Sequence, residues 1–118
     1  MKSEPMKPWL AAAVVVARQA GHLLRRQLPA RKIVQETAAH DIKLELDVRC
    51  QRLIERGLRR AFPTSALFGE EGITGDPEAE YRWVVDPIDG TVNYAHGIPH
   101  ACVAIALQSR PSARSEER

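Results

Sequence analysis

Hydrophobic positions in this chain fall first into two long stretches of helical period and then into short, strand-like runs. Val14, Ala17, Gly21, Leu24 and Leu28 recur at three- and four-residue steps. Pro8 suits a first helical turn and Pro29 a stop, so the spacing predicts a helix from Trp9 to about Leu28. The segment from Ala30 to His40 is polar and aperiodic and reads as a loop. Asp41 to Asp47 alternates apolar and charged residues, as a strand does. From Leu46 a helical period takes over through Cys50, Leu53, Ile54, Gly57, Leu58, Ala61 and Phe62, and Pro63 ends it.

Shorter elements follow. Ala66-Leu67-Phe68 is a brief apolar run leading into Gly69-Glu70-Glu71-Gly72. Ile73 to Arg82, with Gly75 and Asp76-Pro77, reads as a surface loop. Tyr81 to Val85 predicts a strand whose near-continuous apolar character suggests burial on both faces. Val92 to Ala95 reads as a helical turn and Ala101 to Leu107 as a second apolar strand. Residues 108–118 hold no large apolar side chain and read as a disordered polar tail. The pattern as a whole predicts one domain over residues 1–107, of α+β or layered α/β class.

Composition changes this picture little. With 118 residues, 44% hydrophobic and 27% charged, the chain suits a single soluble domain. A net charge of +2, with Arg25-Arg26, Arg31-Lys32 and Arg59-Arg60 scattered and no interleaved aromatics, gives no reason to expect a nucleic-acid partner. The apolar run from Leu10 to Ala17 is too short to span a bilayer and continues at helical spacing, so no membrane partner is expected. Cys50 and Cys102 form no C-x-x-C pair, which removes zinc and thioredoxin-type readings. Buried, reduced thiols in a cytoplasmic protein are the expectation.

The candidate chemistry lies between Glu70 and Thr91. Glu70 and Glu71 leave one strand end, while Asp86 and Asp89, in Trp83-Val-Val-Asp-Pro-Ile-Asp-Gly-Thr91, leave another. Were those strands neighbours, the carboxylates would meet at one sheet edge, and the Ile88 carbonyl would add an oxygen. Hard cations such as Mg²⁺ take such donors. Gly90 lets backbone approach closely, and N–H groups opening a helix can hold phosphate. A Thr91 hydroxyl could orient an attacking water. Each part also has a plain reading. Asp-Pro and Asp-Gly are common turn dipeptides, Glu-Glu pairs are usually solvated, and His96 and His100 suit a loop. Asp47 falls in a first helical turn, where a carboxylate complements the dipole.

Taken as whole strings, Gly69-Glu70-Glu71 and Trp83-Val-Val-Asp86-Pro-Ile-Asp89-Gly-Thr91-Val-Asn-Tyr-Ala-His96-Gly-Ile-Pro99 resemble the inositol monophosphatase family. These are Mg²⁺-dependent, lithium-sensitive phosphatases of sugar and polyol phosphates. The segment from Asp47 to Ile54 is similar to the family's second helix. The resemblance runs from about Leu10 to Leu107. It implies two N-terminal helices packed on part of a mixed β-sheet within an αβαβα sandwich. It also implies that Glu70, Asp86 and the Ile88 carbonyl ligate one Mg²⁺ and that Asp86 and Asp89 hold a second. Glu70 and Thr91 would activate water, Asp47 near the metals would join them as a catalytic residue, and Glu70, Ile88, Asp89, Gly90 and Thr91 would help bind the phosphate ester.

One departure follows. Family members continue with a second αβ half that supplies another Asp ligand and most substrate contacts, and nothing here matches it. The expectation is therefore an N-terminal half ended by truncation, frameshift or gene-model error, with impaired turnover. Two alternatives stay open. One is a non-catalytic remnant that associates, as a homodimer or with another partner, through its open sheet edge. The other is a Ca²⁺- or Mg²⁺-binding structural module without phosphate chemistry.

Overall fold

The computed structural model describes residues 6–29, 34–38, 41–70, 72–99 and 101–110, with backbone alone at 34–38 and 41–43. Its first element, α1, spans Lys7–Gln27, with Pro8 in the first turn and Arg25 and Arg26 in the last, where cations complement the helix dipole. The helix lies where the pattern placed it, but its buried face is rotated. Trp9, Val16, Ala20, Leu23 and Leu24 are buried, whereas Val14 is exposed. Leu10 to Ala17 is apolar all round, so spacing alone does not choose a face there; the large Trp9 ring and the Leu23-Leu24 pair choose it.

A hairpin of β1 (Val34–Ala38) and β2 (Asp41–Leu44) follows, paired antiparallel with a register shift between Val34 and Glu36. The first of these strands corrects the loop expected over Ala30 to His40: its pairing partner, not its own periodicity, makes it a strand. Next comes α2, Glu45–Ala61, which buries Leu46, Asp47, Cys50, Gln51, Ile54 and Leu58. The helices run antiparallel. Trp9 stacks on Phe62 with ring centroids 3.7 Å apart and planes 6° from parallel. Midway, Gly57 lies so close to Val16 that a Cβ there would overlap Val16 Cγ1.

The sheet comprises β3 (Ala66–Gly69), β4 (Gly72–Thr74), β5 (Tyr81–Asp89) and β6 (Cys102–Ser109), in the spatial order β4-β3-β5-β6. Only β3 and β5 are parallel, so the sheet is mixed. A short helix, α3 (Thr91–Ala95), bridges β5 and β6. The two long helices cover one sheet face: Trp83 and Val85 of β5 join Trp9, Val16, Ile54 and Leu58 in one buried cluster. The opposite face is open, with Phe68 43% exposed and Cys102, Ala104 and Ala106 exposed. Burial of β5 is thus complete on one face only, and the expectation of two buried faces is corrected.

Three further expectations change. The loop predicted from Ile73 contains β4, three residues too short to carry a period. The apolar strand does not stop at Leu107 but runs to Ser109, with Arg82 donating to Gln108 Oε1 from Nε (3.1 Å) and Nη2 (2.7 Å). Arg110 then donates its N–H to the Glu80 carbonyl at 2.6 Å and forms an ion pair with Glu78. The remainder of the expected polar tail, residues 111–118, lies outside the described residues, as do Glu71 and His100. Both cysteines are free; Cys50 is buried as expected, but Cys102 is exposed. Among the described residues, no helix is long and apolar enough to cross a membrane.

Candidate metal and phosphate site

The Asp86-Pro-Ile-Asp89 segment is not a turn. It is the end of β5, and the turn begins only at Gly90, whose φ of +101° lies in the left-handed region that favours glycine. Pro87 has no N–H for the ladder, and pairing with β6 slips there: Asp86 faces Ala104, and Asp89 faces Cys102. Three residues of β5 therefore span two of β6. The extra residue reverses the pleat. Pro87 and Ile88 are both buried, and Asp86 and Asp89, which strict alternation would send to opposite faces, share one. Their partners agree, since Ala104 and Cys102 are two apart and both exposed. Cys102 Sγ lies 4.0 Å from Asp89 Oδ2.

Glu70 reaches the same edge by a different route. The parallel register pairs Ala66 with Arg82, Leu67 with Trp83 and Phe68 with Val84. Glu70 follows directly on Gly69, the last residue of β3, in the turn at the carboxyl end of the strand next to β5. Strand order makes β3 and β5 neighbours, so the two acid-bearing strand ends lie side by side in the sheet. Asp86 and Asp89 thus share the open face, Glu70 follows the end of the neighbouring strand, and such donors, anionic and all oxygen, are of the kind a hard divalent cation takes. Among the described residues, however, no three His, Cys, Asp or Glu side chains converge closely enough to hold a metal ion.

The turn after β5 is tied to the strand by its own side chain. Thr91 Oγ1 donates to the Ile88 carbonyl at 2.9 Å, so its proton is committed while its lone pairs stay available. Tyr94, one turn later, is buried and donates its hydroxyl to the Leu24 carbonyl at 2.7 Å, which fastens α3 to α1. His96 Nδ1 donates to the Val92 carbonyl at 2.8 Å, a loop histidine satisfied locally.

Asp47 has a structural duty in this fold. It is buried at the third position of α2, where Oδ2 accepts the Leu44 N–H at 2.9 Å. Leu44 offers no side-chain acceptor in return, so only one arm of a capping box is made. Asp47 remains next to the site: Ile88 shares a buried cluster with Leu44, Leu46 and Cys50, the residues around it. Burial, helped by the Asp47 carboxylate and opposed by Arg49, pushes the Cys50 thiol up to about 11.

Two contacts here were not anticipated from sequence. Gln51 is a buried polar residue beneath Gly69, so close that a Cβ on that glycine would meet its amide at 2.6 Å. Gln51 stands between Cys50 and Arg52 on α2 and gives no apolar signal. Cys102 beside Asp89 could be found only through the bulged register.

The chain matches the inositol monophosphatase family model over residues 5–113 and belongs to that family. It is 44% identical over 108 residues to the Nus factor SuhB of Pseudomonas aeruginosa, a match covering 87% of this chain and 40% of the relative. It is 34% identical to an inositol monophosphatase of Mesembryanthemum crystallinum, over 87% of this chain and 40% of that protein. Among solved structures, the extragenic suppressor protein suhB of Bartonella henselae superposes with a TM-score of 0.78 at 33% identity, over 85% of this chain and 40% of that one. The Thermotoga maritima IMPase gives a TM-score of 0.75 at 34% identity, over 85% and 39%. The chain therefore spans about 40% of the length of the curated relatives it matches.

Proposed function

We propose that the acidic end of the open sheet face is the metal and phosphate centre of a Mg²⁺-dependent phosphomonoesterase for inositol monophosphate or a similar sugar or polyol phosphate. The observation that carries this reading is the β5 bulge, which puts Asp86 and Asp89 on one face, beside the strand that ends next to Glu70. Family membership supports the phosphatase class.

In this reading Glu70, Asp86 and the Ile88 carbonyl would hold one Mg²⁺, and Asp86 and Asp89 would hold a second. Bound ions would supply Lewis acidity toward the phosphoryl oxygens and lower the pKa of water. The chain's own groups do the rest. Thr91 Oγ1, its proton given to Ile88, accepts a hydrogen bond from the attacking water, and Glu70 takes the proton. The Gly90 and Thr91 N–H groups hold the phosphate at the opening of α3. Asp47 acts by fixing the start of α2 against Ile88.

Metal binding is the direct test. Mg²⁺ should raise the melting temperature of the purified chain saturably, added phosphate should raise it further, and Asp89→Asn should abolish both effects. Phosphate release from inositol 1-phosphate, expected to be slow in this 118-residue chain, should need both Mg²⁺ and Asp89. A folded chain whose stability ignores Mg²⁺, or whose response survives Asp89→Asn, would sink the reading.

One observation favours a second, non-catalytic reading. Among the described residues β6 is paired on one side only, leaving an edge that can recruit another strand. Association through that edge should be indifferent to Asp89→Asn.

A further inference from the structure

The solvent side of the α1–α2 pair carries a groove of about 870 Å³, on the far side of the helices from the open sheet face. Its walls are lined by Arg18, His22 and Arg26 from α1 and by Arg49, Arg52 and Arg56 from α2. Those spacings, four and four on one helix and three and four on the other, are helical repeats that stack the side chains in rows. The rows are about 12 Å and about 10 Å long at roughly 1.5 Å per residue. No acidic residue lines the groove. Among the described residues none of the five guanidiniums has a carboxylate partner.

Such a concentration is not a by-product of overall basicity, because the whole chain is only +2. The candidate acidic site lies elsewhere, at the end of β5, and the groove lining is basic or neutral throughout. Like charges at three- and four-residue spacing weaken a helix, so the Arg49, Arg52 and Arg56 row on α2 carries a cost that an anion beside it would offset. Every fixed cation is Arg, whose planar fork pairs two donors with a phosphate or carboxylate. Leu23 and Leu53 line the remaining wall, and no aromatic side chain does, so no base-stacking platform exists.

We propose that this groove binds a linear chain of phosphates, either a free polyphosphate or the phosphate backbone of a nucleic acid, without reading sequence. Two facing rows suit a ligand with charge repeated along a line and directed to both sides. The linear reading of the sequence missed this because adjacent pairs such as Arg25-Arg26 look scattered, and only the helical repeat sorts Arg26 into the groove and Arg25 out of it.

The test is anisotropy of a labelled oligouridylate with the full chain, in about 50 mM salt and without divalent metal, so that phosphate binding at the acidic site is not favoured. Arg52→Gln/Arg56→Gln should weaken binding about tenfold and reduce the salt slope by about 1.4, since each phosphate contact on a single strand contributes about 0.7. The charge-matched control Arg25→Gln/Arg60→Gln, exposed residues outside the groove, should change neither. Displacement by inorganic triphosphate at equal charge would identify a site for short free chains; binding of the oligonucleotide alone would identify a backbone site. The proposal is overturned if neither probe binds, if the two double variants weaken binding equally, or if polyglutamate competes as well as phosphate does.

Discussion

Asp47 shows how one carboxylate can matter to a site through the fold. By accepting the Leu44 N–H from within the first turn of α2, it fixes the β2–α2 junction that packs on Ile88. Asp47→Ala should cost about 1–3 kcal/mol, the range for a lost cap and a buried charged hydrogen bond. Asp47→Asn, which keeps an acceptor, should cost less; urea unfolding of both would check this, and equal stability would refute the capping role. Nearby, burial pushes Cys50 from an ordinary 9.0 to about 11. Burial and then Cys50 push Tyr94 from 10.0 to about 12. Both groups are held neutral in the folded chain, so their contribution is intact below the unfolded values. It is lost as pH rises through the 9-to-12 window, where unfolded chains ionise more readily. Melting temperature should therefore fall across that window, and Cys50→Ala should flatten its lower part.

At the scale of elements, the approach of α1 to α2 rests on Gly57. A Cβ there overlaps Val16 Cγ1, so Gly57→Ala should destabilise by about 1–3 kcal/mol despite alanine's better helix propensity. Adding Val16→Ala should recover part of that loss, giving a non-additive double-mutant cycle; strict additivity would mean the two positions do not touch. Both helices were legible from sequence because their apolar repeats are long. The face of α1 was not, because Leu10 to Ala17 offers apolar residues all round. The strands β1 and β4 were not legible either, since pairing rather than pattern creates them. What the sequence offered for the candidate site was its residues and the possibility that their strands are neighbours, and β3 and β5 do lie side by side. Its geometry was hidden, because Asp-Pro-Ile-Asp reads equally well as a turn, and only the slipped pairing with β6 puts Asp86 and Asp89 on one face.

For the molecule as a whole, the two faces of the sheet have opposite fates. One is sealed by α1 and α2; the other presents Phe68, Ala104 and Ala106 beside the acidic end, with Ile73 exposed on the neighbouring β4. The edge strand β6 borders that open face, and it carries neither the charge nor the proline by which proteins usually protect an edge; its one bulge lies at the β5 pairing. A second copy of the chain can pair there through backbone alone, with apolar side chains adding burial. Sedimentation velocity should then show concentration-dependent self-association. Ala106→Lys, which places a charge on the open face of the edge strand, should shift the chain toward monomer while leaving its far-UV spectrum unchanged. Mg²⁺ binding should survive that substitution, because Ala106 pairs with Val84, two residues before Asp86. If Ala106→Lys abolished metal binding as well, edge and acidic end would be one coupled surface, and association would have to be understood as part of the site rather than as a competitor to it.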